Sequence, residues 1–124
     1  MKKQRPVNLD LTTIKMHAAA NASILHRVSG VIMVFALGIL LWILSISLSS
    51  AEEFAQVKSL LDGVFFKIIM LGIISVLSYH LLGGVRHILM DLGHFEELDS
   101  GNATAKLIMV LWLVFTVLAG VWLW

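Results

Sequence analysis

The chain has 124 residues, of which 59% are hydrophobic and 14% charged, with a formal net charge of +1 and no cysteine. Soluble globular domains hold roughly 45–50% apolar and 25% charged residues, so this composition, with a mean hydropathy of +0.93, is that of an integral membrane protein. The near-neutral charge gives no footprint for nucleic acid, the lack of cysteine excludes disulfides, thiolate metal sites and iron–sulfur clusters, and the few residues outside the apolar spans exclude a nucleotide, flavin or substrate-binding domain.

Residues 1–21 form a polar, basic segment, with Lys2, Lys3, Arg5 and Lys15 against Asp10. The apolar run that follows, Gly30 to Leu48, exceeds the about 7–15 residues of a signal-peptide core, and a retained anchor is expected. Cap-like residues in Asn8-Leu9-Asp10-Leu11-Thr12-Thr13 predict a short interfacial helix through Ile14 to Ala20. The first span is expected over residues 22–49, longer than the roughly 20 residues that a bilayer core requires. In its first turn Ser23 and Arg27 stand at i, i+4 on one face, with His26 beside them and Ser29-Gly30 following. Two readings stand. Either Arg27 snorkels to the headgroups while Ser23 caps the helix, or the three side chains form a donor cluster suited to a carbonyl or carboxylate ligand.

Ser50 to Leu61, with Glu52, Glu53 and Lys58, reads as a short loop. The second span is expected over residues 62–88, with Lys67 snorkelling outward near its start. It ends in His80-Leu81-Leu82-Gly83-Gly84-Val85-Arg86-His87. Seven steps of about 100° fall some 20° short of two full turns, so His80 and His87 share a face about 10 Å apart along the axis, with Gly84 on the same face. A histidine inside an apolar span is costly unless paired or liganded. One reading is a haem-binding helix: His80 ligates iron, Gly83 and Gly84 admit a flat macrocycle, and Arg86 and His87 meet the propionates. The other is a packed histidine, hydrogen-bonded to a neighbouring helix, with glycines that serve helix packing.

Asp91-Leu92-Gly93-His94-Phe95-Glu96-Glu97 marks the exit from the membrane, with His94 as a solvated loop residue, and Asp99-Ser100-Gly101-Asn102 reads as the turn into the third span. That span is expected over residues 105–124, with Trp112 inside it and Trp122 and Trp124 at the far interface. The 9 Lys and Arg residues divide unevenly: Lys2, Lys3, Arg5, Lys15, Arg27, Arg86 and Lys106 fall on one side, Lys58 and Lys67 on the other. The bias puts the amino terminus in the cytoplasm and the carboxyl terminus in the periplasm. The expected fold is therefore all-α: three transmembrane helices in one antiparallel bundle, a single membrane-anchor domain over residues 1–124.

Three stretches together carry a resemblance. Arg5-Pro6-Val7-Asn8-Leu9-Asp10-Leu11 resembles an amino-terminal R-P signature. Ser23-Ile24-Leu25-His26-Arg27-Val28-Ser29 matches the pattern S-x-x-H-R-x-[ST], and His80 to Gly93 matches H-x-x-x-G-[hydrophobic]-R-H-[hydrophobic]-x-[M]-D-x-G. By these the chain resembles the cytochrome b subunit of bacterial succinate dehydrogenase, the larger membrane anchor of respiratory complex II, over nearly its whole length. Ala18 departs from the pattern, where a larger apolar residue or proline is expected.

The resemblance implies a multi-pass subunit of the bacterial inner membrane, in complex with a flavoprotein that oxidises succinate, an iron–sulfur subunit and a second small hydrophobic anchor. It implies a b-type haem shared with that second anchor, His80 being one axial iron ligand, and ubiquinone as substrate. Ser23 and Arg27 are implied at the ubiquinone site, and His26, Arg27, His87 and Arg86 at the haem propionates. Two other classes compete. A haem-free structural anchor of a fumarate reductase-like complex predicts no Soret absorbance. A small transporter or channel subunit is disfavoured by the absence of carboxylates deep in the spans, Asp62 falling at a helix end.

Overall fold

A computed structural model of the chain describes Val7, Leu9, Asp10 and residues 12–124, and every regular element among them is a helix: α1 (Ala18–Ser47), α2 (Ala51–Leu61), α3 (Val64–Asp91) and α4 (Leu98–Leu123). Three of these, α1, α3 and α4, are long and apolar enough to cross a membrane. The 30 residues of α1 make a rod of about 45 Å at 1.5 Å per residue, against a hydrocarbon core of about 30 Å. The three long helices pack in mutual contact as an antiparallel bundle. Only 11%, 17% and 6% of their most apolar stretches are buried within the chain, so most of the apolar surface is directed outward, as a lipid environment demands.

The stretch expected as a loop, Ser50 to Leu61, is instead the helix α2. Ser50 is its N-cap and accepts a 3.1 Å hydrogen bond from the Glu53 amide. Glu52 and Glu53 in the first turn and Lys58 in the last complement the helix dipole. The interfacial helix expected through Ile14 to Ala20 is absent before Ala18. In its place the Asp10 carboxylate accepts from the Thr12 amide at 3.0 Å and the Thr12 hydroxyl at 2.7 Å, and the Thr13 amide donates to the Asp10 carbonyl. Such local side-chain bonds compete with the helix, and the same hydroxyl and amide hold the Asp10 carboxyl below its ordinary pKa. The Arg5-Pro6 motif, Asn8 and Leu11 lie outside the described residues.

Asp99-Ser100-Gly101-Asn102, expected as a turn, lies inside α4. Asn102 has a tertiary role: its side-chain oxygen accepts a 3.0 Å bond from the Ala19 amide in the first turn of α1. That satisfies one of the orphan donors at a helix start whose N-cap, His17, supplies no side-chain bond. The end of α3 closes as expected. The His94 amide bonds to the Leu89 carbonyl and the Gly93 amide to that of Met90, with Gly93 at φ 84°, the paired bonds and left-handed glycine of a Schellman stop.

The core is built from small residues. Ala22, Ala105 and Ile108 are buried together, with Ala18, Ala19 and Leu82 packed around them, which lets helix backbones approach where no hydrophobic force separates helix from lipid. Polar side chains fasten α3 to its neighbours. Trp112 Nε1 donates to the Ser75 carbonyl and hydroxyl at 3.0 and 2.9 Å, the Ser75 hydroxyl lies 3.0 Å from that of Thr116, and the Tyr79 hydroxyl donates to the Ala22 carbonyl at 3.0 Å. These bonds hold the registers of α1, α3 and α4 where the histidines lie.

Candidate functional site

The start of α1 and the end of α3 run side by side, and their facing turns bring three histidines together. The His26 ring stacks on that of His80, centroids 4.3 Å apart and planes within 8°, and lies 5.0 Å from His87 at a 47° tilt. The helical arithmetic explains the α3 half: His80 and His87 are two turns apart on one face, and His26 enters between them from α1. All three rings are partly buried.

Gly83 makes room for this contact. A Cβ at that position would lie 2.6 Å from His26 Cδ2, whereas one at Gly84 would meet His26 Nε2 at an ordinary 3.6 Å. The volume over Gly83, expected to admit a macrocycle, is thus taken by the His26 imidazole. Gly30, one turn on from His26, sits against the other histidine, with a notional Cβ at 3.2 Å from His80 Cε1.

Two nitrogens of the cluster stand out. His26 Nε2 is buried without a hydrogen-bond partner, which normally costs about 1–3 kcal/mol. His80 Nδ1 lies 2.9 Å from the Ser29 hydroxyl, and no hydrogen bond among the described residues engages its Nε2. Sequence reasoning passed over Ser29 as an individual residue, although it stands at the constrained last position of S-x-x-H-R-x-[ST].

The remaining sequence-derived residues divide. Ser23 is partly buried and Arg27 exposed on α1, and neither side chain is hydrogen-bonded among the described residues. Arg86, 4% exposed, faces the other way. Its Nε donates to Thr104 Oγ1 at 3.2 Å and its Nη2 to the Gly101 carbonyl at 3.0 Å, both on α4. It is separated from the histidine face by the 100° step between it and His87. His94 is exposed beyond the end of α3.

Comparison with known proteins gives a family. Residues 1–119 match the family model described as succinate dehydrogenase/fumarate reductase transmembrane subunit. The chain is 36% identical to the succinate dehydrogenase cytochrome b556 subunit of Coxiella burnetii, covering 100% of both chains. It is 30% identical to the protein of that name in Rickettsia felis, over 93% of this chain and 90% of the relative. It is 28% identical to the succinate dehydrogenase cytochrome b560 subunit of Reclinomonas americana, over 96% of this chain and 86% of that one. A full-length match of this kind, on a chain whose motif histidines converge between two spans, means that the protein belongs to the succinate dehydrogenase/fumarate reductase transmembrane subunit family.

Proposed function

We propose that the chain is the larger membrane anchor of a succinate:ubiquinone oxidoreductase of the bacterial inner membrane, sharing a b-type haem and the ubiquinone-reduction site with its partners. The observation that carries the reading is the convergence of His26, His80 and His87 between two apolar helices. Intramembrane histidines are retained at cost and mark functional sites. The partners are a flavoprotein that holds the succinate site, an iron–sulfur subunit, and a second small anchor.

His80 would hold the haem iron from this chain, with a histidine of the second anchor holding it from the other side of the shared site. His26, Arg27 and His87 would meet its propionates. The donor set fits such a group: the buried, unpartnered His26 Nε2 is the kind of atom a carboxylate would satisfy. Arg86 is left out of the set because its guanidinium is spent on α4, and the glycines serve to seat His26. A haem b held there would supply one-electron transfer chemistry.

Ser23 and Arg27 serve the quinone. Its reduction takes two electrons and two protons, and negative charge develops on its oxygens. The Ser23 hydroxyl hydrogen-bonds one oxygen, and the Arg27 guanidinium stabilises the charge as an oxyanion hole does. A guanidinium keeps its proton in proteins, so the protons come from water or a partner residue. The amino terminus is cytoplasmic, with Lys15, Arg27, Arg86 and Lys106 at the end of the bundle where α1 begins, and Lys58 and Lys67 at the other.

The test is a dithionite-reduced minus air-oxidised spectrum of the complex purified through a tag on this chain, with the co-purifying subunits identified, alongside His80→Ala. A b-type α-band that disappears or shifts in the variant is expected. A haem-free complex with the same partners would leave a structural anchor, and an absence of flavoprotein and iron–sulfur partners would refute the respiratory reading.

A further inference from the structure

We infer that Ser29 is a positioning residue for His80: it holds the imidazole in the tautomer with hydrogen on Nδ1, leaving the Nε2 lone pair for a metal. The inference rests on the haem reading above and concerns a residue to which that reading gives no role.

The argument is a count of hydrogens. The Ser29 hydroxyl has one, and Oγ lies 2.7 Å from the His26 carbonyl, which only accepts, so the hydrogen is committed there. The same Oγ lies 2.9 Å from His80 Nδ1 and accepts on that side, so Nδ1 carries a hydrogen. A neutral imidazole has one N–H, and Nε2 is therefore bare.

The surroundings hold this arrangement. Ser29 is 5% exposed, and the pocket of about 150 Å³ beyond it is walled by Leu25, Val28, Ile32 and Val76 with Tyr79 and Trp112. The polar atoms of those two aromatics are engaged elsewhere. That lining offers the Ser29 hydroxyl no competing polar side chain. Gly30 leaves just enough space for the ring edge, a Cβ there falling 3.2 Å from His80 Cε1. Without the hydroxyl, the tautomer with hydrogen on Nε2, which cannot bind metal through that atom, is no longer selected against.

A partner at the distal ring nitrogen fixes a ligating histidine's tautomer and raises its basicity. A more basic imidazole favours ferric over ferrous iron, so removing the hydroxyl moves the haem potential upward.

The experiment is a redox titration of the haem, with low-spin electron paramagnetic resonance spectra, in purified complexes carrying wild-type, Ser29→Ala or Ser29→Thr chains. The expected result for Ser29→Ala is a positive shift equal to a two- to tenfold fall in the ferric-to-ferrous ratio at fixed potential, tenfold being about 59 mV for one electron. The g values change with it, and Ser29→Thr, which keeps a hydroxyl, returns both toward wild type. If Ser29→Ala loses haem outright, recovery in Ser29→Thr supports the inference and loss in both overturns it. Full haem with unchanged potential and g values in Ser29→Ala would overturn it while leaving the haem reading intact. A wild-type complex without haem would sink both.

Discussion

Replacing Gly83 with alanine puts the packing of the histidine cluster to a direct test. The new methyl would sit 2.6 Å from His26 Cδ2, 3.2 Å from Cγ and 3.4 Å from Cβ, where carbon atoms prefer roughly 3.5–4.0 Å. The ring must retreat by about 1 Å, and overpacking of this kind costs about 1–3 kcal/mol. At about 1.4 kcal/mol per decade, the same displacement weakens whatever the cluster binds by roughly five- to a hundredfold. Gly84→Ala is the control. Its methyl meets His26 Nε2 at 3.6 Å, an ordinary contact, and alanine in a helix is favoured over glycine by up to about 1 kcal/mol. The assay is the thermal midpoint of the detergent-solubilised complex, together with haem content from the α-band. Gly83→Ala should lower both, and Gly84→Ala should leave both near wild type or raise the midpoint. Equal behaviour of the two variants, or greater damage at Gly84, would refute the seating of His26 against Gly83.

Two further substitutions separate roles that residue type alone leaves mixed. Arg27→Leu should reduce quinone reductase activity by roughly a hundredfold, the scale of losing an oxyanion-type donor, while succinate oxidation with an artificial soluble acceptor stays nearly intact; equal loss in both assays would assign Arg27 to assembly. Arg86→Met removes two charged-donor bonds to α4, each of about 1.5–3 kcal/mol, and relieves part of this through the buried charge that goes with them. Faster amide exchange in the first turns of α4 with an unmoved haem α-band is expected, and a shifted α-band at full subunit occupancy would return Arg86 to the haem edge.

The three spans were legible because length and apolarity identify a membrane helix without tertiary knowledge, and the shared face of His80 and His87 followed from the helical period. What the spacing did not contain was the partner. His26 joins the two α3 histidines only because α1 and α3 pack side by side, and the glycine it needs, Gly83, looked from the sequence like space for a flat ligand. Arg86 was legible as a functional type of residue but not as a direction; the 100° step from His87 turns it onto α4. Asn102 and Gly101 carry turn chemistry locally, yet Asn102 caps α1 and Gly101 presents its carbonyl to Arg86, long-range uses that override local preference. The helix α2 is a different case. Its signal, Ser50 followed three residues later by Glu53, was present as a capping-box pattern and was masked by the polar composition of a short segment.

The satisfied and unsatisfied polar groups then divide the molecule into two sides. In a bilayer, polar groups without partners are costly because water cannot supply the missing bond. Around α4 the chain meets this demand internally: Trp112 with Ser75, Ser75 with Thr116, Arg86 with Gly101 and Thr104. On the α1–α3 side it does so only in part, through Tyr79 with the Ala22 carbonyl and Ser29 with His80 Nδ1. Ser23, Arg27, His80 Nε2 and the buried His26 Nε2 have no hydrogen bond among the described residues, although each lies at or inside the edge of a membrane span. A chain selected only to hold α1 against α3 would close these groups on one another or replace them with apolar residues, as it does elsewhere with Ala22, Ala105 and Ile108. Their persistence, beside a serine within hydrogen-bond distance of His80 Nδ1, is what the proposed shared site would require. On the proposed reading this is the face where a second anchor and the ligands would meet the chain, and the α4 side, already complete, would hold those groups in place.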